Sequence, residues 1–216
     1  YEYDVDIPED EVIELLKQYE GYEIIRLDDP TGKRDVPLAE RAKKANDSKI
    51  DILISIHHNA GINGGSGGGI VVFRYPNSTK FTKSMQKDLY DLLIKHTGLK
   101  GNRATPLAEA NFQILRQTTA PAVLIENGFM DSRTDVPIIL SKSHVDKSAT
   151  AITEFLVNHF KLKKKPAPTK PSTPKPTGKG YFRVVVGSYK DRKNAEIQQD
   201  RLKKSGFDSF LVYFED

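Results

Sequence analysis

The chain has 216 residues, room for one full hydrophobic core and a small extra unit, and its 38% hydrophobic and 29% charged residues fit a globular fold with a water-exposed surface. It has no cysteine, which excludes disulfides and thiolate metal sites, so a metal here needs histidine and carboxylate ligands. The net charge of +4 favours anionic partners, but much of the excess sits in lysines of one Pro-rich segment; no basic helix or nucleic-acid module stands out, and no apolar run approaches the ~20 residues that span a bilayer.

In chain order, Asp6-Ile-Pro-Glu-Asp-Glu11 starts a helix. Asp6 can cap, Pro8 suits the first turn, and the acids complement the helix dipole. Val12, Leu15, Leu16 and Tyr19 supply its apolar face, and Gly21 stops it. Residues 22–27 read as a strand and 28–34 as a polar loop. Residues 38–46 make a short helix with Leu38, Ala42 and Ala45 inward. Residues 50–56 are an apolar, β-branched run, the pattern of a strand buried on both faces. The glycine-rich stretch 64–69 lacks the lysine of a phosphate loop and reads as a mobile loop beside a site.

Residues 70–75 are another strand. Phe81, Met85, Leu89, Leu92 and Leu93 follow at helical spacing as a core stripe, and Gly98 ends that helix. Residues 103–117 read as a long polar connection carrying Asn111, Phe112 and Arg116. A strand at 122–125 precedes a closing amphipathic helix at 145–160, where His159 is assigned to capping or solvent. This alternation predicts an α/β fold, a mostly parallel sheet flanked by helices.

Residues 161–179 alternate Lys, Pro, Thr and Ser and cannot bury a core, which predicts an extended linker between a first domain, 1–160, and a small unit, 180–216. That unit reads as β-α-β: a strand from Phe182, a helix over 194–204 with Ala195, Ile197 and Leu202 as apolar positions, and a strand over 209–214.

Two strand ends share one grammar. The first apolar run ends in His57, His58 and Asn59; the second ends in Glu126, Asn127 and Gly128. Ligands gather at the carboxyl edge of strands in open α/β sheets. If both strands lie parallel in one sheet, Glu126 stands near His57. A carboxylate at the end of a buried strand has a raised pKa, which suits general acid/base work. Two plainer readings stay open: one histidine packs in the core while the other is solvated, and Glu126 caps the next helix or pairs with an arginine.

Ser55-Ile-His-His-Asn-Ala60 and Ile125-Glu-Asn-Gly-Phe129 together resemble the two signature motifs of the zinc-dependent N-acetylmuramoyl-L-alanine amidases of the amidase-3 type. Leu38-Ala-Glu-Arg41, Ala45-Asn46 and Asn111-Phe-Gln-Ile-Leu-Arg116 match the pattern between them. The resemblance covers roughly residues 1–160. It implies a peptidoglycan hydrolase that cleaves the amide between N-acetylmuramic acid and L-alanine of the stem peptide, using zinc-activated water and a carboxylate general base. By the same resemblance His57 and Glu2 are Zn2+ ligands, Glu126 is the catalytic carboxylate, and Asn59 and Asn111 lie on the substrate side. Arg41 and Asn46 hold the fold. The physics agrees: zinc polarises an amide carbonyl and acidifies water, and a carboxylate outside the metal's ligand shell can move the proton.

The chain departs from that family in one respect. The family's first zinc-ligand histidine, in a Gly-His-Gly motif, has no counterpart, because the chain opens at Tyr1-Glu-Tyr-Asp. His58 points elsewhere on an alternating backbone, and His96 and His144 lie in unrelated segments. The expectation is that the first strand and its histidine are absent, that zinc binds weakly, and that turnover is poor. The tail resembles about half of a SPOR repeat through Val184-Val-Val-Gly-Ser-Tyr189, Asn194-Ala195 and Gly206-Phe207. That likeness implies binding to glycan strands, with the other half of the module supplied past the C-terminus or by dimerisation. The implied location is extracytoplasmic, at the cell wall. The alternative is an inactive peptidoglycan-binding amidase remnant. A different zinc hydrolase, such as a peptidase, is disfavoured by the absence of an H-E-x-x-H helix.

Overall fold

The computed structural model describes residues 8–166 and 187–213. In chain order the elements are α1 (Glu9–Leu16), β1 (Tyr19–Glu20), α2 (Leu38–Asp47), β2 (Leu53–Asn59), β3 (Ile70–Arg74), α3 (Lys80–Thr97), β4 (Leu107–Glu109), α4 (Gln113–Gln117), β5 (Ala122–Phe129), α5 (Val136–Ile139), α6 (Lys142–Phe160), β6 (Lys163–Lys164) and α7 (Arg192–Lys204). They divide between two compact units, residues 1–167 and 168–216. No helix among the described residues is long and apolar enough to cross a membrane.

Among the described residues the first unit is built on a four-stranded sheet of order β2-β5-β3-β4. β2 runs parallel to β5 and β3 parallel to β4, while β3 and β5 are antiparallel, so the α/β expectation holds with a mixed sheet. Period-two alternation divides each strand between two cores. Ile54, Ile56, Val123 and Ile125 face the larger one, where α1, α3 and α6 bring Leu16, Leu89, Leu93 and Ile152. Leu53, Ala122 and Leu124 face the smaller one, closed by Ala42 and Ala45 of α2 and by Ile114 and Leu115 of α4.

The long helices have ordinary sequence punctuation. The Thr79 side chain accepts from the Thr82 N–H at 3.2 Å to start α3, and Gly98 ends it in the left-handed region at φ 72. Ser141 starts α6 by accepting from His144 N at 3.2 Å. Pro8 stands at the N-cap of α1; Asp6 and Glu2 lie outside the described residues.

Several sequence expectations need correction. Residues 22–27 form no strand; Tyr22 packs on the larger core and Leu27 on the smaller one, while Ile24 is exposed, so the segment drapes over the unit with no ladder partner. Residues 103–117 are not one polar connection, because three residues pair as β4 and five coil as α4. Both are too short for periodicity to reveal. Leu38 is exposed rather than inward. Lys163 and Lys164, assigned to the linker, pair antiparallel with Glu20 and Tyr19.

The loop 64–69 is not free. Its backbone N–H groups donate to Asp131 O (Gly64, 2.9 Å), Thr134 Oγ1 (Gly67, 2.9 Å), Asn102 Oδ1 (Gly68, 2.9 Å) and Asp135 Oδ2 (Gly69, 2.7 Å). Glycine is needed at Gly68: φ is +115, and a Cβ there would stand 2.5 Å from Asp135 Oδ2.

In the second unit α7 runs as expected, opened by Asp191, whose side chain accepts from Lys193 N at 2.7 Å and Asn194 N at 3.4 Å. Residues 209–213 are irregular, so the closing strand is not formed there, and Phe214 and the expected strand over 182–186 lie outside the described residues.

Candidate active site

The two motif strands do share an edge. In the parallel β2–β5 ladder His57 is in register with Glu126. Alternation puts both on the face of the sheet that carries α2 and α4. There they line a cleft of about 220 Å³ with Leu38, Phe112, Gln113, Ile114 and Leu124. A larger groove, about 410 Å³, lies between α3 and α6 around Asp88, Asp91 and His159, and none of its lining atoms is a buried polar group without a partner.

Glu126 neither caps a helix nor joins an ion pair among the described residues. Its Oε2 is buried with no hydrogen-bond partner among them. Burial pushes its carboxyl up from the ordinary value to about 7. A group poised near neutrality can both accept and return a proton.

His57 is aimed by its own strand. Ser55, two residues back and on the same face, shares a 2.8 Å hydrogen bond with His57 Nε2. Burial, and then the charge of Arg41, hold the imidazole below its ordinary pKa, so it is a neutral nitrogen donor at pH 7. Arg41 itself is tied to the Val36 carbonyl at 2.8 Å.

The ladder shifts register between His57 and Asn59, the sign of a bulge where strands end beside a site. His58 therefore belongs to the other side of the sheet. Burial, then His144 and His57, push it down to about 4, and its Nε2 is buried with no partner among the described residues. Neither plain reading of the pair applies in full: His57 opens on the cleft, and His58 is half-buried with its Nε2 left without a partner among the described residues.

The remaining expected residues take these positions. Asn59 accepts from Met130 N at 2.7 Å through its carbonyl and from Ala60 N at 2.8 Å through Oδ1. Asn111 accepts from Arg116 Nη1 at 2.6 Å, which fixes the turn into α4. Asn46 is a structural clasp: its Nδ2 donates to the Gln117 carbonyl at 2.8 Å, and its Oδ1 accepts from Thr119 N at 2.9 Å. Glu2 lies outside the described residues. Ser55, Leu38 and Phe112 stand inside the matched motifs but had no role assigned at the site; the bond to His57 reveals Ser55, and the lining of the cleft reveals Leu38 and Phe112.

Residues 8–158 match the family model described as N-acetylmuramoyl-L-alanine amidase, and residues 158–213 match the SPOR domain. The chain belongs to the N-acetylmuramoyl-L-alanine amidase family. It is 28% identical over 200 residues to the sporulation-specific N-acetylmuramoyl-L-alanine amidase of Bacillus subtilis (strain 168), covering 92% of this chain and 70% of that one. It is 30% identical over 151 residues to the endolysin of Bacillus phage SPP1, covering 69% of this chain and 55% of the endolysin. The fold resembles the crystal structure of N-acetylmuramoyl-L-alanine amidase from Clostridium difficile 630, with a TM-score of 0.63 at 24% identity, covering 70% of this chain and 79% of that one.

The family is generally zinc-dependent. Among the described residues no three His, Asp or Glu side chains converge as a metal site. Of the two residues expected to hold zinc, His57 is described, and it suits the metal in kind: a neutral imidazole that lines the cleft.

Proposed function

We propose that the chain hydrolyses the amide joining the lactyl group of N-acetylmuramic acid to L-alanine, with Glu126 as the general acid/base. The observation behind this reading is the Glu126 carboxylate itself, in register with His57, half-buried, with Oε2 unpartnered and a pKa near 7. Glu126 takes a proton from the attacking water as its oxygen bonds to the carbonyl carbon. It then gives that proton to the amide nitrogen as the C–N bond breaks. The products are a lactyl carboxylate and a stem peptide with a new L-alanine amino terminus.

His57 and Glu2 are the residues that would hold zinc, which when bound supplies Lewis-acid polarisation of the scissile carbonyl. Ser55 keeps the His57 ring in one orientation, the usual task of a group behind a metal-binding imidazole. Asn59 and Asn111 are the residues that would meet the substrate. The SPOR-matching segment binds glycan strands, which keeps the catalytic unit at high local concentration on the wall. The enzyme acts outside the cytoplasm, at the cell wall.

The test is product analysis on purified peptidoglycan: amine labelling after digestion is expected to reveal new alanine amino termini and no new termini within the stem peptide. New termini inside the peptide would make the chain a peptidase.

A further inference from the structure

Two large apolar side chains sit half-exposed at the cleft that holds Glu126. Leu38 is 44% exposed and Phe112 38% exposed, and both line that cleft. Single apolar residues on a surface are ordinary. These two come from the starts of different helices, and they line the cleft of the same half-buried carboxylate.

Both are held in place. Leu38 is the first residue of α2, directly after Pro37. The Phe112 ring packs edge-on against Phe73 with centroids 5.1 Å apart, and Arg116 grips Asn111 beside it. Asn46 ties the end of α2 to the end of α4 and to Thr119. The two helices that carry these side chains are therefore tied to each other by the fold.

The scissile amide has a methyl group on each flank, one on the lactyl carbon and one on the alanine Cα. We infer that Leu38 and Phe112 are specificity residues that bury these two methyls, so that the site reads a methyl–amide–methyl unit. This rests on the amidase reading above. Apolar side chains beside the amide also keep bulk water from the Glu126 carboxyl, apart from the attacking water itself.

The test uses the full chain loaded with zinc and three soluble substrates: a muramoyl-L-alanyl peptide, its glycine counterpart, and its counterpart with a glycolyl in place of the lactyl group. Wild-type protein is expected to favour the first over each demethylated substrate by about 10-fold or more in kcat/KM, the discrimination an apolar pocket achieves for one carbon. Leu38→Ala and Phe112→Ala are each expected to bring one of these ratios towards one, by slowing the parent substrate and sparing the demethylated one. Leu38→Met keeps apolar volume and is expected to keep both ratios. An unchanged urea midpoint shows that the variants fold.

Wild-type ratios near one, or ratios that stay within about twofold of wild type in both alanine variants, would overturn the inference while leaving the amidase reading in place. Failure of the wild-type protein to release any alanine amino terminus from whole peptidoglycan would instead bring down the amidase reading.

Discussion

His144 of α6 holds its Nε2 3.2 Å from the backbone carbonyl of Asn127, the residue after Glu126 on β5. Asn127 is buried on the same side, where its Nδ2 donates to Ser148 Oγ at 3.0 Å. The strand that carries the catalytic candidate is thus braced from behind by a histidine and a serine of one helix.

That brace makes stability depend on pH. Burial holds the His144 pKa below its ordinary value, against the opposing bond to Asn127 and the charge of Asp135. A buried neutral histidine binds its proton less readily in the fold than in the unfolded chain. Above about pH 6.5 neither state is protonated and nothing is lost; below it the unfolded chain gains protons first, so stability falls as pH falls. One such group contributes at most about 1.4 kcal/mol per pH unit. Urea unfolding at pH 7.5, 6.5 and 5.5 is expected to show a shallower acid-side loss in His144→Gln. His57 and His58, shifted the same way, add to the acid-side loss, while Glu126, raised to about 7, binds its proton first in the fold and opposes it, so the His144 contribution is read from the difference between the two proteins at each pH.

Glu126→Gln preserves shape and removes the proton acceptor. It is expected to lower kcat by about 10²–10⁴-fold. Zinc per chain, measured by elemental analysis after dialysis, is expected to stay at the wild-type level. Joint loss of zinc and turnover would move Glu126 onto the metal. His57→Ala is expected to lose both together.

Asp135 is 1% exposed and accepts from Gly69 N at 2.7 Å and Phe129 N at 3.0 Å. Asp135→Ala strands both donors and is expected to cost about 2–5 kcal/mol in urea unfolding. Gly68→Ala meets the same carboxylate and a disallowed φ, so a comparable loss in thermal midpoint is expected.

Asn46→Ala removes the clasp between α2, Gln117 and Thr119. The expected cost is about 1–2 kcal/mol. Because this clasp also sets the position of α2 against α4, KM is expected to rise more than kcat falls, which steady-state kinetics separates.

The parts legible in the sequence were those with strong local patterns. Continuous β-branched runs marked β2 and β5, and their polar endings foretold that Glu126 would stand beside His57. The Phe81-to-Leu93 stripe marked α3. The failures were set by tertiary contact. Residues 22–27 have the apolar content of a strand, yet their hydrophobes are divided between two cores and no ladder edge receives them. The glycines at 64–69 suggested mobility, but their acceptors, Asn102, Thr134 and Asp135, are more than thirty residues away in sequence. Leu38 occupies an inward phase of α2, yet the helix starts there and the side chain overhangs the cleft.

On β5, Leu124 and Glu126 address the cleft while Val123, Ile125 and Asn127 address the helices behind. Chemistry and architecture are therefore written on alternate letters of one short word. A library that varies the helix-facing letters can raise the melting temperature without touching Glu126, whereas Leu124 fills the smaller core as well as the cleft and answers to both demands.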